Sequence, residues 1–134
     1  MTNWTKLIGR PELVEGLYER APSLDGFTLS ELCFDVQQNA CMMRGTLADF
    51  PDNPRPGWEE DANCVAIRLR LEEIDQFELQ GWSFENVVDI KIMQIERGRR
   101  IRVRAQGDDL CFRMTCATLQ AEGIFAYHVI DDDG

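Results

Sequence analysis

The chain has 134 residues, enough for one domain with a single hydrophobic core. Its 24 acidic and 14 basic residues give a formal net charge of −10, which argues against nucleic acid or an anionic membrane as its partner. The apolar runs are far shorter than the roughly 18 residues that a membrane-spanning helix needs, and no signal-peptide pattern is present at the N-terminus. We therefore expect a cytoplasmic protein.

The first predicted element is a short amphipathic helix that begins near Pro11. Apolar residues at positions 13, 14, 17 and 18 form one helical stripe. Pro11 suits the first turn of a helix, and Glu12 and Glu15 lie where the helix dipole favours negative charge. We expect two to three turns that end before Pro22 and pack beside Trp4, Leu7 and Ile8.

After Gly26 the hydrophobic period changes to two, which is the period of β-strands. Polar turns separate the alternating segments. The expected strands contain the alternating residues Leu32, Phe34 and Val36; residues 41–47; Val65, Ile67, Leu69 and Leu71; Phe77 and Leu79, facing inward; Val88, Ile90 and Ile92, facing inward; Ile101, Val103 and Ala105; Leu110, Phe112 and Met114; and residues 119–129.

This pattern predicts a mainly β (α+β) fold with one short N-terminal helix. About eight antiparallel strands follow one another as a meander, in a sheet that is either sandwich-like or partly closed. We expect residues 1–130 to form a single domain. The tail at 131–134 contains three aspartates and a glycine, so it is too charged to pack and should be disordered.

A proline-dense loop, from Phe50 to Trp58, interrupts the strand pattern. Its three prolines fix φ and remove backbone donors, so this segment cannot join a sheet ladder and must run as a stiff connection. Trp58 is expected to anchor the loop, either as a plug of the core or as a contact for a partner.

The five cysteines include no C-x-x-C pair, and each falls on or beside a predicted strand. We expect reduced, buried thiols. A structural zinc site needs four soft ligands, and the chain has a single histidine, His128. We therefore expect no metal ion.

Residues for catalysis are scarce. His128 is the one candidate base, and no glycine pattern of a nucleophile elbow or a phosphate-binding loop is present. The acidic clusters at residues 59–61 and 72–75 are adjacent in sequence, whereas paired catalytic carboxylates must face each other across a cleft. The sequence thus favours a protein that is not an enzyme and has no cofactor.

Charge is unevenly distributed along the chain. Residues 97–113 carry six bases and two acids, whereas residues 1–96 carry 8 bases and 18 acids. We interpret the arginines at 97–104 as a solvated strand face that is paired with acids on neighbouring strands. They are also a secondary candidate for an interface.

Several short motifs occur in one order along nearly the whole chain. They are Trp4, Pro22-Ser23-Leu24, the Phe50-to-Trp58 loop, Asn63-x-Val65-x-Ile67, Leu79-x-Gly81-Trp82, Asp89-x-Lys91 and Tyr127. This ordered set resembles the immunity protein 50 family of bacterial polymorphic-toxin systems. The resemblance implies a cytoplasmic, β-rich protein that binds and neutralises a cognate protein toxin.

Many toxins that attack nucleic acid have a basic cleft, which an acidic surface can occupy. The expected partner-binding surface is therefore the proline loop with its acidic margin, together with a second acidic turn; its residues are Asp52, Trp58, Glu59, Glu60, Asp61, Glu72, Glu73 and Asp75. The protein is expected to be a monomer or a homodimer. The alternatives are a small-ligand-binding β-barrel module and a self-associating structural β protein.

Overall fold

The computed structural model describes residues 4–54, 58, 62–83 and 86–128. The predicted acidic margin at 59–61 and the predicted tail at 131–134 lie outside these residues.

Eight strands dominate the described chain: β1 (Phe27–Asp35), β2 (Ala40–Leu47), β3 (Cys64–Glu72), β4 (Gln76–Gln80), β5 (Asn86–Ile95), β6 (Arg100–Gly107), β7 (Cys111–Cys116) and β8 (Thr118–Tyr127). The helical elements are α1 (Glu12–Glu15) and the 3-10 helices Trp4–Leu7 and Glu96–Gly98. Period-two alternation accounts for most strands. In β3, for example, Val65, Ile67, Leu69 and Leu71 are buried, while Arg68 is exposed.

All eight strands belong to one open sheet with the order β4-β7-β6-β5-β1-β2-β3-β8, and every neighbouring pair is antiparallel. The predicted mainly β class with about eight antiparallel strands is confirmed. Strands β1 to β3 and β5 to β7 are two successive meanders. Strands β4 and β8 are the end strands of the sheet, and each pairs with a strand that is not its neighbour in the sequence, β7 and β3 respectively.

The sheet curls over a single core. Strands β1 and β4 are separated by three others in the sheet order, yet the rings of Phe34 and Phe77 are in contact. Ala117 alone separates β7 from β8, and the N–H of Asp75 donates to the carbonyl of Thr115. The sheet therefore has two four-stranded halves, β4-β7-β6-β5 and β1-β2-β3-β8, whose apolar faces share one cluster of buried residues.

The N-terminal segment covers one end of this sheet. Gly9 bonds to the edge of β8, donating to the carbonyl of Leu119 and accepting from the N–H of Ala121. The indole Nε1 of Trp4 donates to the carbonyl of Pro22, and Trp4 and Ile8 are buried in the core cluster. The predicted packing of this segment is therefore observed.

Two local expectations differ from the structure. Helix α1 has four residues, fewer than the predicted two to three turns, because the chain leaves the helix at Gly16 and buries Leu17 and Tyr18 from a turn. In β1 the buried apolar residues are Phe27 and Leu29, after which a bulge shifts the register. The side chains of Phe34 and Val36, which alternate with polar residues as a buried row does, are 44% and 90% exposed.

The helices of the described chain are all too short and polar to cross a bilayer.

Candidate functional site

The proline loop is tied to the N-terminal segment by several hydrogen bonds. The N–H of Asn53 donates to the carbonyl of Leu17, and the hydroxyl of Tyr18 donates to the carbonyl of Asp49, the residue just before the loop. The carboxylate of Asp52 accepts a bond from the N–H of Glu19 at 3.0 Å. Asp52 is thus exposed, while its carboxylate is held in place by this bond.

Tyr18 lies beneath the acidic start of this loop. Burial raises the pKa of its hydroxyl well above the usual range, and the charges of Asp49 and Asp52 raise that pKa further. The tyrosine therefore stays neutral and can donate its hydrogen bond to the loop. Further along, the indole of Trp58 is half-buried and packs against the core cluster.

The acidic turn between β3 and β4 has basic partners of its own. Asp75 forms an ion pair with Arg100 at 3.0 Å, and Glu72 lies 3.8 Å from Arg70. Arg100 also donates to the backbone carbonyl of Glu73 at 2.6 Å. Two of the three carboxylates in this turn are thus partly neutralised, which reduces the negative field that they present to a partner.

The proline loop and the acidic turn lie at opposite ends of β3. The loop leads into Cys64, the first residue of the strand, and the turn begins at Glu72, its last residue. Eight residue steps at roughly 3.3 Å each separate these ends by about 26 Å. Asp52 follows β2, whose last residue Leu47 pairs with Val65 near the start of β3, whereas Glu73 and Asp75 follow the other end of β3.

An apolar opening lies next to the acidic turn. Phe34 from β1 and Phe77 from β4 meet there edge to face, with ring centroids 4.6 Å apart, and Leu79 follows two residues along β4. All three side chains belong to the inward faces of their strands, yet Phe77 is 36% exposed and Leu79 is 42% exposed. We name this surface, formed by Phe34, Phe77 and Leu79, the β1–β4 opening.

Sequence reasoning predicted the direction of these side chains and missed their exposure. Alternation shows which residues share a face, but it does not show whether another element covers that face. The sequence of β4 did indicate in part that this strand lies at an edge of the sheet. The strand is short, with glutamines at both ends and a glutamate between its two apolar residues, as is typical of edge strands.

The outer face of the sheet half β4-β7-β6-β5 is basic. Arg104 on β6 lies directly opposite Lys91 on β5 and Arg113 on β7, and Arg113 donates to the carboxylate of Glu78 at 3.1 Å. Our expectation of arginines paired with acids thus holds for Arg100 and fails for Arg104, whose cross-strand neighbours are both cations. A shallow groove of about 210 Å³ adjoins this row; it is lined mainly by Glu78, Gln80, Arg104, Gln106, Cys111 and Arg113.

Groups that could support redox or metal chemistry are dispersed. The described ranges contain no cluster of three or more His, Cys, Asp or Glu side chains that could hold a metal ion.

The five cysteines are free thiols; Cys41 and Cys116 are buried as expected, whereas Cys33 is exposed and Cys64 and Cys111 are half-buried. Burial raises the pKa of Cys41 to about 12 and that of Cys116 to about 11, so both thiols are poor nucleophiles at neutral pH.

The described part of the sheet thus presents a tethered Asp52, an acidic turn, an apolar opening and a basic strand face. A family model described as Immunity protein 50 matches residues 10–127. No curated protein and no solved structure matches the chain. The matched segment contains all eight strands and the proline loop, and the chain therefore belongs to the immunity protein 50 family.

Proposed function

We propose that this chain neutralises a cognate toxin of a bacterial polymorphic-toxin system by binding to it, without catalysing a reaction. The observation that carries the proposal is the family match over residues 10–127, which takes in the whole sheet. An immunity role needs a stable surface that is complementary to one partner. Asp52 in the proline loop supports this proposal, because the N–H of Glu19 holds its carboxylate in place before any partner binds.

Electrostatic attraction is the proposed basis of recognition. A net charge of −10 attracts a basic partner, and a nuclease-type toxin has a basic cleft to hold its substrate. Complementary charge can raise association rates by roughly 10- to 1000-fold at low salt. The toxin is accordingly proposed to be a nuclease, bound in the cytoplasm by a monomer or a homodimer of this protein.

Two acidic patches are proposed to contact the toxin. The first is the proline loop, with Asp52, Trp58 and the acids at 59–61. The second is the turn that contains Glu72, Glu73 and Asp75. Because about 26 Å of β3 separates them, at roughly 3.3 Å per residue, a toxin domain must either span the length of this strand or use one patch alone.

Charge reversal at each patch tests this placement. The binding partner for the assay is the C-terminal domain of a multidomain toxin, to be sought in the adjacent upstream gene, and the measurement is its affinity by calorimetry at two salt concentrations. We expect charge reversal at the patch that the toxin uses, Asp52→Lys with Glu60→Lys at the first or Glu73→Lys at the second, to weaken binding by at least tenfold and to reduce the dependence on salt. Glu122→Lys on β8, remote in sequence from both patches, is the control. Undiminished affinity in every patch variant would exclude the acidic mode, and absence of binding by the natural chain would exclude this toxin as the partner.

A further inference from the structure

We infer that the β1–β4 opening receives an extended segment of the toxin in which apolar residues alternate with lysine or arginine. The inference rests on the proposed function and specifies where and how the partner binds. It follows from three properties of this surface: unburied inward side chains, free strand edges and the charge of those edges.

The first property is incomplete coverage of the inward face. Every strand except β4 contributes side chains to the buried core cluster of the described chain. Phe77 and Leu79 point towards the core, opposite Met114 and Phe112 on β7, and yet remain more than one third exposed. At the β8 end of the sheet, by contrast, the N-terminal segment covers the edge and buries Trp4 and Ile8. The described residues provide no equivalent cover at the β1–β4 opening.

The second property is the presence of two free strand edges beside these side chains. Strand β4 is the end strand of the sheet and pairs with β7 alone. Beyond Leu29, β1 no longer pairs with β5, so in the part of the chain that the structure describes residues 31–35 bond to β2 only. Each edge presents backbone N–H and C=O groups that an added strand can satisfy, and pockets for alternate side chains then provide specificity.

The third property is charge. Residues 31–35 and β4 together carry three carboxylates, Glu31, Asp35 and Glu78, and no lysine or arginine. Only Glu78 of these three has a cation within ion-pair distance, Arg113, among the described residues. An added strand would set its own polar side chains beside these acids, and cross-strand pairs of opposite charge are favourable. Lysine or arginine at alternate positions is therefore the matching chemistry.

The same charge argument disfavours a second copy of this chain as the occupant. Pairing β4 with β4 of another copy would bring carboxylates of the same sign together across the new ladder. A small apolar ligand is also disfavoured, because the opening is an exposed edge rather than an enclosed cavity. A basic, apolar strand satisfies both the edges and the exposed rings.

The experiment has one arm with the toxin and one without it. In the first, the C-terminal domain of the toxin from the adjacent upstream gene is titrated into the full chain and into two variants. Leu79→Arg introduces a cation at the opening. Val87→Arg is the control, because it introduces a cation at an apolar residue of similar exposure on the outer face of β5. Val87 is 51% exposed and Leu79 is 42% exposed. We expect Leu79→Arg to weaken binding by about tenfold or more and Val87→Arg to change it by less than about twofold. Leu79→Ala, which adds no charge, should weaken binding by a smaller factor.

The second arm uses synthetic peptides of seven residues in which valine alternates with lysine or, in the matched control, with glutamate. Amide chemical shifts of the full chain are followed by NMR at low salt. We expect the lysine peptide to shift the signals of residues 31–35 and 76–80, and the glutamate peptide to leave them unchanged. The thermal midpoint of each variant must stay close to that of the natural chain for its binding data to count.

Each outcome decides a different point. Toxin binding that Leu79→Arg leaves intact would overturn the inference while the proposed function stands. Failure of the natural chain to bind the toxin would refute the proposed function for that toxin, and the peptide arm would still decide whether the opening accepts a basic strand. Peptide shifts confined to other surfaces, or a homodimer at low micromolar concentration that Leu79→Arg dissociates, would also overturn the inference.

Discussion

The ring of Phe34 packs against the ring of Phe77 at a centroid distance of 4.6 Å and an interplanar angle of 66°. This edge-to-face contact joins two strands that are not neighbours in the sheet, and so it links the two halves of the curled sheet at the β1–β4 opening. Aromatic pairs of this geometry contribute about 0.5–1.5 kcal/mol beyond the area that they bury.

A double-mutant cycle measures this contact. We expect Phe34→Ala and Phe77→Ala each to lower the free energy of unfolding by about 1–2 kcal/mol, less than for a buried phenylalanine because both rings are partly exposed. Since the rings touch, the double variant should lose about 0.5–1.5 kcal/mol less than the sum of the single losses. Urea denaturation provides the values, and strict additivity would show that the rings do not interact in solution.

The close approach of Phe27 to Gly45 predicts a second effect on stability. A Cβ at Gly45 would overlap the buried ring of Phe27 and lie 2.5 Å from the carbonyl oxygen of Thr28. Gly45→Ala should therefore destabilise the fold by about 1–3 kcal/mol, the usual cost of overpacking. Gly123→Ala is the control, since a Cβ there meets no atom within 4 Å. Equal unfolding free energies for the two variants would contradict this description of the core.

The ion pairs beside β4 should differ in strength. Arg100 is 19% exposed and binds both Asp75 and the carbonyl of Glu73, whereas Arg113 is 45% exposed and, among the described residues, binds Glu78 alone. Because exposed pairs contribute little, we expect Arg113→Ala to change the unfolding free energy by less than about 0.5 kcal/mol. Arg100→Ala should cost about 0.5–1.5 kcal/mol, since Arg100 is the more buried cation and its loss also removes a hydrogen bond to the carbonyl of Glu73. A ranking in the opposite order in chemical denaturation would count against the observed network.

Thiol reactivity should separate the five cysteines. At pH 7.5 we expect Cys33, which is exposed, to react with an aromatic disulfide reagent first, and Cys41 and Cys116 to react only after unfolding. Mass spectrometry of partially labelled protein identifies the sites. Rapid modification of Cys41 in the folded chain would show that the interior of the sheet is open to the reagent.

The same buried groups predict the response to alkaline pH. The folded-state pKa of Cys41 is about 12 and that of Cys116 is about 11, both above the unfolded value of 9.0. A raised pKa means that the folded state holds its proton longer, so this contribution to stability is complete below pH 9 and is lost as pH rises towards 11 and 12. We expect the unfolding free energy to fall across that window by up to about 1.4 kcal/mol per pH unit for each group. A free energy that stays constant from pH 9 to 11 would contradict the burial of these thiols.

Much of the fold could be predicted from the sequence because alternation in Val65–Leu71, in Ile101–Ala105 and in similar segments reports directly on strands and their faces. The order of the strands could not be predicted, because the pairing of β4 with β7 and of β8 with β3 depends on connections that carry no local signal. The β1–β4 opening follows from that order, which explains why Phe77 was expected to be buried.

The candidate site was only partly accessible to sequence reasoning for a related reason. Asp52 and Asp75 were grouped because both stand in acidic segments, but they flank opposite ends of β3. Arg104 was expected to face acids, and its neighbours proved to be Lys91 and Arg113, because cross-strand register is set by tertiary pairing. The family resemblance was confirmed by the match over residues 10–127.

Protection of living cells is the most direct test of the central claim that this chain neutralises a toxin by binding it. Cells that express the C-terminal toxin domain from the adjacent upstream gene are scored for survival with and without this chain, and the complex is isolated from the survivors. The account predicts survival together with a stoichiometric complex. Death of the cells despite normal levels of the folded chain, or survival without any complex, would contradict it.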